Sequence, residues 1–185
     1  MELTRAEAER IWFTSDPHYD HANIIKYCHR PFRSVKQMNA VLRRNWNSTI
    51  RPDDVVYFVG DMSFGLPSRS PRWWLKRLNG RKIYVKGSHD RGIRLSSIIP
   101  GVSRVSEFEH VTVNGMGFLV VHDPLSAVVN GWRGWVIHGH LHNTRPFCDF
   151  HGKRFNVSVE VTGYKPVSLA RIINAVLSAP YSPGV

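Results

Sequence analysis

Carboxylates and imidazoles recur along this chain in five short segments: Asp16-Pro17-His18, Gly60-Asp61, Gly87-Ser88-His89-Asp90, His122, and Gly139-His140-Leu141-His142. Asp16 alternates with His18, and His140 with His142, so at a strand end each pair points one way. Asp16 and His18 can then share one ion, while His140 and His142 can each face one of two neighbouring ions. Aspartate offers a hard anionic oxygen and histidine a borderline nitrogen. That mixture, with no thiolate, suits manganese, iron, zinc or nickel, and argues against iron–sulfur chemistry and thiolate-type structural zinc. Gly60 lets Asp61 project from a tight turn, where one carboxylate can bridge two ions. An isolated histidine is usually a hydrogen-bonded structural residue, but these segments together, in this order, read as the donor set of a two-metal hydrolase.

Such donors need strands to carry them. Ile11 to Ser15, Val55 to Val59 and Ile83 to Lys86 are short, apolar and β-branched or aromatic, and each delivers a motif at its C-terminal end. Between the first two, apolar residues at Val35, Met38, Val41, Leu42 and Trp46 make a helix face over Ser34 to Ile50, with Ser34 as N-cap. A second helix is expected over Pro71 to Leu78, where Trp73 and Trp74 read as packing residues. The second half reads as strands over Val102 to Val113, Phe118 to Val121, Trp135 to Ile137 and Phe147 to Val161, with turns such as Asn114-Gly115. A closing helix is expected over Ser168 to Leu177, then a loose tail over Pro180 to Val185. The pattern is α/β in a single domain over 1–185.

Of 185 residues, 42% are hydrophobic and 21% charged, as in a folded globular chain, and no apolar run is long enough to span a bilayer. The polar, charged N-terminus is unlike a secretory signal, so the expected place is the cytoplasm and no membrane partner is expected. Cys28 and Cys148 are far apart and read as two reduced thiols. The formal net charge is +11, although five of the fourteen acids (Asp16, Asp20, Asp61, Asp90, Asp123) stand in or beside the motifs. The remaining surface is therefore more basic still, which favours phosphate-bearing partners.

The motifs, together with Phe13-Thr14-Ser15-Asp16, Ala22-Asn23-Ile24-Ile25, Arg30-Pro31-Phe32, Leu78-Asn79-Gly80, His138-Gly139-His140 and Phe155-Asn156-Val157, resemble the calcineurin-like metallophosphoesterases, in a small capless bacterial and phage-type subgroup. The resemblance implies two mixed β-sheets packed as a sandwich flanked by helices, with a dinuclear site along one edge. It implies Asp16, His18 and His142 on a first metal, Asp61 as bridge, and His122 and His140 on a second, with manganese expected in both. The family's next ligand is the asparagine of Gly-Asn-His-Asp, and Ser88 stands in its place, a shorter and weaker donor for the second metal. His89 would contact the phosphate and assist the leaving group, with Asp90 orienting its imidazole. A hydroxide held between the ions would attack phosphorus.

Small nucleotide phosphodiesters, 2′,3′- and 3′,5′-cyclic ones included, are the preferred substrates, because a strained diester with an easily expelled oxygen asks least of a thinned metal site. His21, Asn23, Arg30 and Arg91 are candidate phosphate or base contacts. A nuclease or a protein phosphatase fits the same motifs. From another class, so does a nucleic-acid-binding protein with weak catalysis.

Overall fold

The computed structural model describes residues 4–64, 69–90 and 92–178. Arg91 and the tail over Pro180 to Val185 lie outside them. In chain order the elements are α1 (Arg5–Ala8), β1 (Ile11–Thr14), α2 (Ala22–Tyr27), α3 (Val35–Thr49), β2 (Val55–Val59), α4 (Pro71–Leu75), β3 (Arg81–Val85), β4 (Val102–Ser106), β5 (Phe108–Val113), β6 (Met116–Val121), α5 (Pro124–Val129), β7 (Trp135–His138), β8 (Cys148–Asp149), β9 (Arg154–Asn156), β10 (Val167–Ser168) and α6 (Leu169–Leu177).

The strands form two mixed five-stranded sheets, ordered β10-β1-β2-β3-β4 and β5-β6-β7-β9-β8. Strands β1 to β4 are parallel and β10 is antiparallel to β1. In the second sheet β6, β7 and β9 are parallel, with antiparallel β5 and β8 at the edges. This is the α/β sandwich that the resemblance implies.

Period-2 alternation divides each central strand between two interiors. In β2, Val56 and Phe58 join a core that includes Met38, Leu42 and Trp46 of α3, while Val59 faces the other sheet. Phe13, Val59 and Val85 meet Phe118, Val120, Ile137 and Phe155 in the layer between the sheets. On the far side of the second sheet, Leu119, Val121 and Val136 pack against Ala127 of α5. No helix among the described residues is long and apolar enough to cross a membrane.

Ser34 caps α3, its hydroxyl accepting from the Gln37 amide at 3.2 Å. The helix expected over Pro71 to Leu78 is shorter, because the buried Lys82 ammonium donates to the carbonyls of Leu75 and Leu78 and satisfies the chain as it leaves α4. Trp74 is buried and stacks on Tyr19 at 4.0 Å, so it is core, and Trp73 packs against the same cluster. The run expected over Val102 to Val113 is two strands in different sheets, divided at Glu107, where the chain crosses the sandwich. The run over Phe147 to Val161 is likewise only β8 and β9, with a parallel bridge from Ser158 to Ser15 joining the two sheets.

Candidate metal centre

Every motif leaves the C-terminal end of a parallel strand: Asp16 and His18 after β1, Asp61 after β2, Ser88 to Asp90 after β3, His122 after β6, and His140 and His142 after β7. The chain turns sharply there. Asp16, His18, Asp61, His140 and His142 all adopt left-handed backbone, with φ of 57°, 46°, 60°, 67° and 46°. Such conformations in non-glycine residues cost on the order of 1–3 kcal/mol each and gather at functional sites. Gly60 has φ of 87° and is tightly crowded as well, since a Cβ there would lie 2.6 Å from Gly87 Cα and from His122 Nδ1.

Three trios of donors result among the described residues; one joins Cys28, His142 and Glu160, and the other two share Asp16. Of these two, Asp16, His18 and His142 form the first; Asp16, Asp61 and His122 form the second. Asp61 Oδ2 lies 3.6 Å from His18 Nε2 and 3.3 Å from His122 Nε2, between the two groups. Asp16 Oδ1 is 3.8 Å from His18 Nε2 and 3.9 Å from His142 Nε2. The other oxygen of Asp16 accepts from the Ser158 hydroxyl and the His140 amide, both at 2.9 Å. His122 Nδ1 lies 2.8 Å from the Val59 carbonyl and His142 Nδ1 lies 3.0 Å from Glu160 Oε1, which leaves each Nε2 turned inward. Outer-shell partners orient histidine ligands in this way. Asp16 Oδ1 and His18 Nε2 are buried without a hydrogen-bond partner. Buried orphans among carboxylate and imidazole donors fit divalent cations, because an ion would satisfy what the protein does not.

Electrostatics support that fit. Burial holds the His18 imidazole down at about 4, against the pull of Asp16 and Asp61, so it is neutral near pH 7. At Asp61 burial favours the neutral acid, but the ion pair with His122 and the His89 amide outweigh it, and the carboxyl stays well below its usual range. His122 shows the reciprocal effect: burial opposes its charge, yet Asp61 and Asp16 raise it to about 9. His142 rises to about 10, burial being outweighed by Cys28, Glu160 and Asp16. Glu160 falls to about 2, where His142 and Arg30 overcome burial.

Several expected residues occupy other places. The Asp90 carboxylate accepts from the amides of Asp61 and Gly87 at 2.8 Å and of Met62 at 3.3 Å. It therefore ties two loops together, and the expected hold on the His89 imidazole gives way to these amides. The His89 ring instead packs on Phe64 at 4.3 Å, half-exposed at the mouth, with Nε2 4.0 Å from Asp61 Oδ2. Arg30, expected at the substrate, is buried; it donates to the carbonyls of Asp16 and Pro17 at 2.7 and 2.8 Å and pairs with Glu160 at 2.6 Å. Its guanidinium supports the backbone that carries the donors. His21 stands beside His18 and Phe64, with ring centroids 5.7 and 4.7 Å away, whereas Asn23 is exposed on α2. The Ser88 hydroxyl is exposed and donates to Asp61 Oδ2 at 3.2 Å. His140 lies beside His122, ring centroids 5.2 Å apart, outside both trios. Glu160 and Ser158 were not anticipated. The signal was present, since both follow β9 as the other donors follow their strands, but a strand drawn through Val161 conceals it.

A sandwich with its donors on loops beyond parallel strand ends defines a class of phosphoesterase. The calcineurin-like phosphoesterase family matches residues 9–173, and the chain belongs to it. An uncharacterized protein, MJ1445, of Methanocaldococcus jannaschii is 39% identical over 172 residues, covering 90% of this chain and 91% of its own. The gene 66 protein of Mycobacterium phage L5 is 32% identical over 81 residues, 43% of this chain and 39% of that one. Among solved structures, the protein AQ665 of Aquifex aeolicus superposes with a TM-score of 0.68 at 26% identity, covering 89% of this chain and 97% of that one.

In metal-free protein His122 and His142 keep their protons up to about 9 and about 10. Ligation by Nε2 requires those protons to leave. Manganese binding at about pH 7.5 should therefore release protons, and affinity should climb as pH rises toward those values. Calorimetry in two buffers of different ionisation heat reads the proton count; binding without release would contradict the assigned donors.

Proposed function

We propose that the chain is a metal-dependent phosphodiesterase of small nucleotides, 2′,3′- and 3′,5′-cyclic ones included. The observation that carries this reading is the meeting of the two donor trios at Asp16, with Asp61 between them and His89 at the open mouth. In it, Asp16, His18 and His142 would hold one ion, His122 with His140 and Ser88 would serve the other, and Asp61 would be available to both. Two divalent ions, manganese in our reading, supply charge neutralisation at the phosphoryl oxygens and acidify water. The two cysteines are free, which supports the cytoplasm as the compartment.

His89 has two anchors. Its amide donates to Asp61 Oδ1 at 2.8 Å, and its ring rests on Phe64 at 4.3 Å. The imidazole can therefore reach a substrate oxygen without leaving the bridging carboxylate, and its task is to give a proton to the departing alkoxide. Ser88 spends its hydroxyl proton on Asp61, and a hydroxyl is a weaker ligand than a carboxamide oxygen. A second ion would therefore be held less firmly, which would favour diesters whose leaving oxygen needs little help.

A panel of monoesters, linear diesters and cyclic nucleotides, assayed with manganese and after chelation, should show metal-dependent diester hydrolysis; cleavage of monoesters alone would overturn the substrate class. Ser88→Asn should raise metal affinity and turnover by about ten-fold, the usual size of a ligand-shell effect. Unchanged metal content and rate would remove Ser88 from the second site. Replacing His89 with Ala should slow a diester with an alkyl leaving group by about 10²–10⁴-fold and a p-nitrophenyl ester far less. Equal losses on both would take the proton-donor role away from His89.

A further inference from the structure

Beside the second trio lies a cavity of about 680 Å³ whose lining includes Ser88, His122 and His140 of the centre together with the aromatic rings of Phe108, His110 and Trp132. We propose that it binds the flat, uncharged heteroaromatic ring of a phosphoester substrate: the nucleobase of a nucleotide whose phosphate sits at the donor trios. This deepens, and rests on, the phosphodiesterase reading of the same centre.

Register builds the surface. Phe108 pairs with Val121 and His110 with Leu119 across the antiparallel β5–β6 ladder, so these four side chains share one face. That is the outer face, on which Leu119 and Val121 pack with α5. Its apolar floor leads straight to His122, the residue after Val121.

Trp132 is fixed before any ligand arrives. Its Nε1 donates to the Trp135 carbonyl at 3.0 Å, and its ring stacks on His110 with centroids 5.0 Å and planes 20° apart. It also lies close over the backbone of Gly117 and Gly134, where a Cβ would come within 3.6 and 2.8 Å of the indole. With its N–H engaged, the indole offers ring surface but no donor. A preset aromatic wall costs little ordering on binding, and base stacking on such walls is largely indifferent to base identity.

Charge decides which part of a substrate belongs there. Among the described residues, the one lysine on the lining, Lys86, is paired with Glu107 at 2.9 Å. Asp123 adds a carboxylate, which caps α5 by accepting from the Leu125 amide at 2.9 Å. A lining that, among the described residues, carries its lysine already paired is poorly suited to a second phosphate or a polynucleotide backbone. It suits a neutral ring, and its volume falls in the range of about 300–1,000 Å³ typical of small-ligand sites.

The test is calorimetric, on the full chain loaded with manganese, comparing adenosine 5′-monophosphate with ribose 5-phosphate. Wild type should prefer the nucleotide by about ten-fold or more, the size of one stacked base. Trp132→Ala should bring the two ligands to parity, and Phe108→Ser, at a half-exposed edge position, should narrow the ratio without touching the fold. Ribose 5-phosphate affinity should stay constant throughout. Circular dichroism checks each variant, and if Trp132→Ala is unfolded, Phe108→Ser decides. Equal wild-type affinity for the two ligands, or a ratio that the folded variants leave unmoved, overturns the proposal. Failure of the phosphodiesterase reading looks different: base-dependent binding persists while no diester is hydrolysed.

Discussion

One carboxylate joins the two sheets at their functional end. Asp16 belongs to the turn after β1, yet its Oδ2 accepts from His140 and Ser158, which follow strands of the opposite sheet. The Ser15–Ser158 bridge and the contact of His122 Nδ1 with the Val59 carbonyl complete a polar seam across the sandwich. Apolar layers are non-directional and tolerate small slides, whereas hydrogen bonds do not. The seam therefore sets the offset between the sheets, and with it the distance between donors that reach the site from opposite sides. Asp90 does the corresponding work within the first sheet, holding the Gly87 and Asp61 loops by their amides.

The same arrangement explains why so basic a chain tolerates a buried knot of acids. Asp16 and Asp61 stand among His18, His122 and His142, and Glu160 is held by Arg30 and His142. The raised His122 and His142 supply positive charge where cations would otherwise stand. Charge within the centre is thus nearly balanced by its own members. The outer lysines and arginines are left to set the longer-range field, which is positive.

Asp16, His18, Asp61, His122 and His142 meet in the two trios that share Asp16, and each carries a local signal, a donor residue type just after a strand; His140 carries the same signal and lies outside both. The fold was legible for a related reason, since period-2 runs and the Ser34 cap are short-range signals. What the sequence concealed is long-range. Arg30 resembles any exposed basic residue until its ion pair with Glu160, 130 positions away, is seen. Asp90 stands next to His89 in sequence but spends its oxygens on the amides of Gly87, Asp61 and Met62. The break at Glu107 is invisible to periodicity, because both halves of the run are strands and only the sheet changes.

Ser88 is where these threads meet. It lies on the shared boundary of the second trio and the aromatic cavity, exposed, with its hydroxyl on Asp61. A carboxamide at this position would occupy more space and would offer an oxygen to a second ion; a serine is the smaller group and would be the weaker donor. A weaker electrophile depends more on holding its substrate in line, and a ring bound in the proposed cavity, against the row of Phe108, His110 and Trp132, would be a means of holding it. Binding energy gathered away from phosphorus can offset electrophilic help lost at it only if the ring is gripped at a fixed distance from the metal centre. The locked Trp132 and the β5–β6 register would provide that fixed distance.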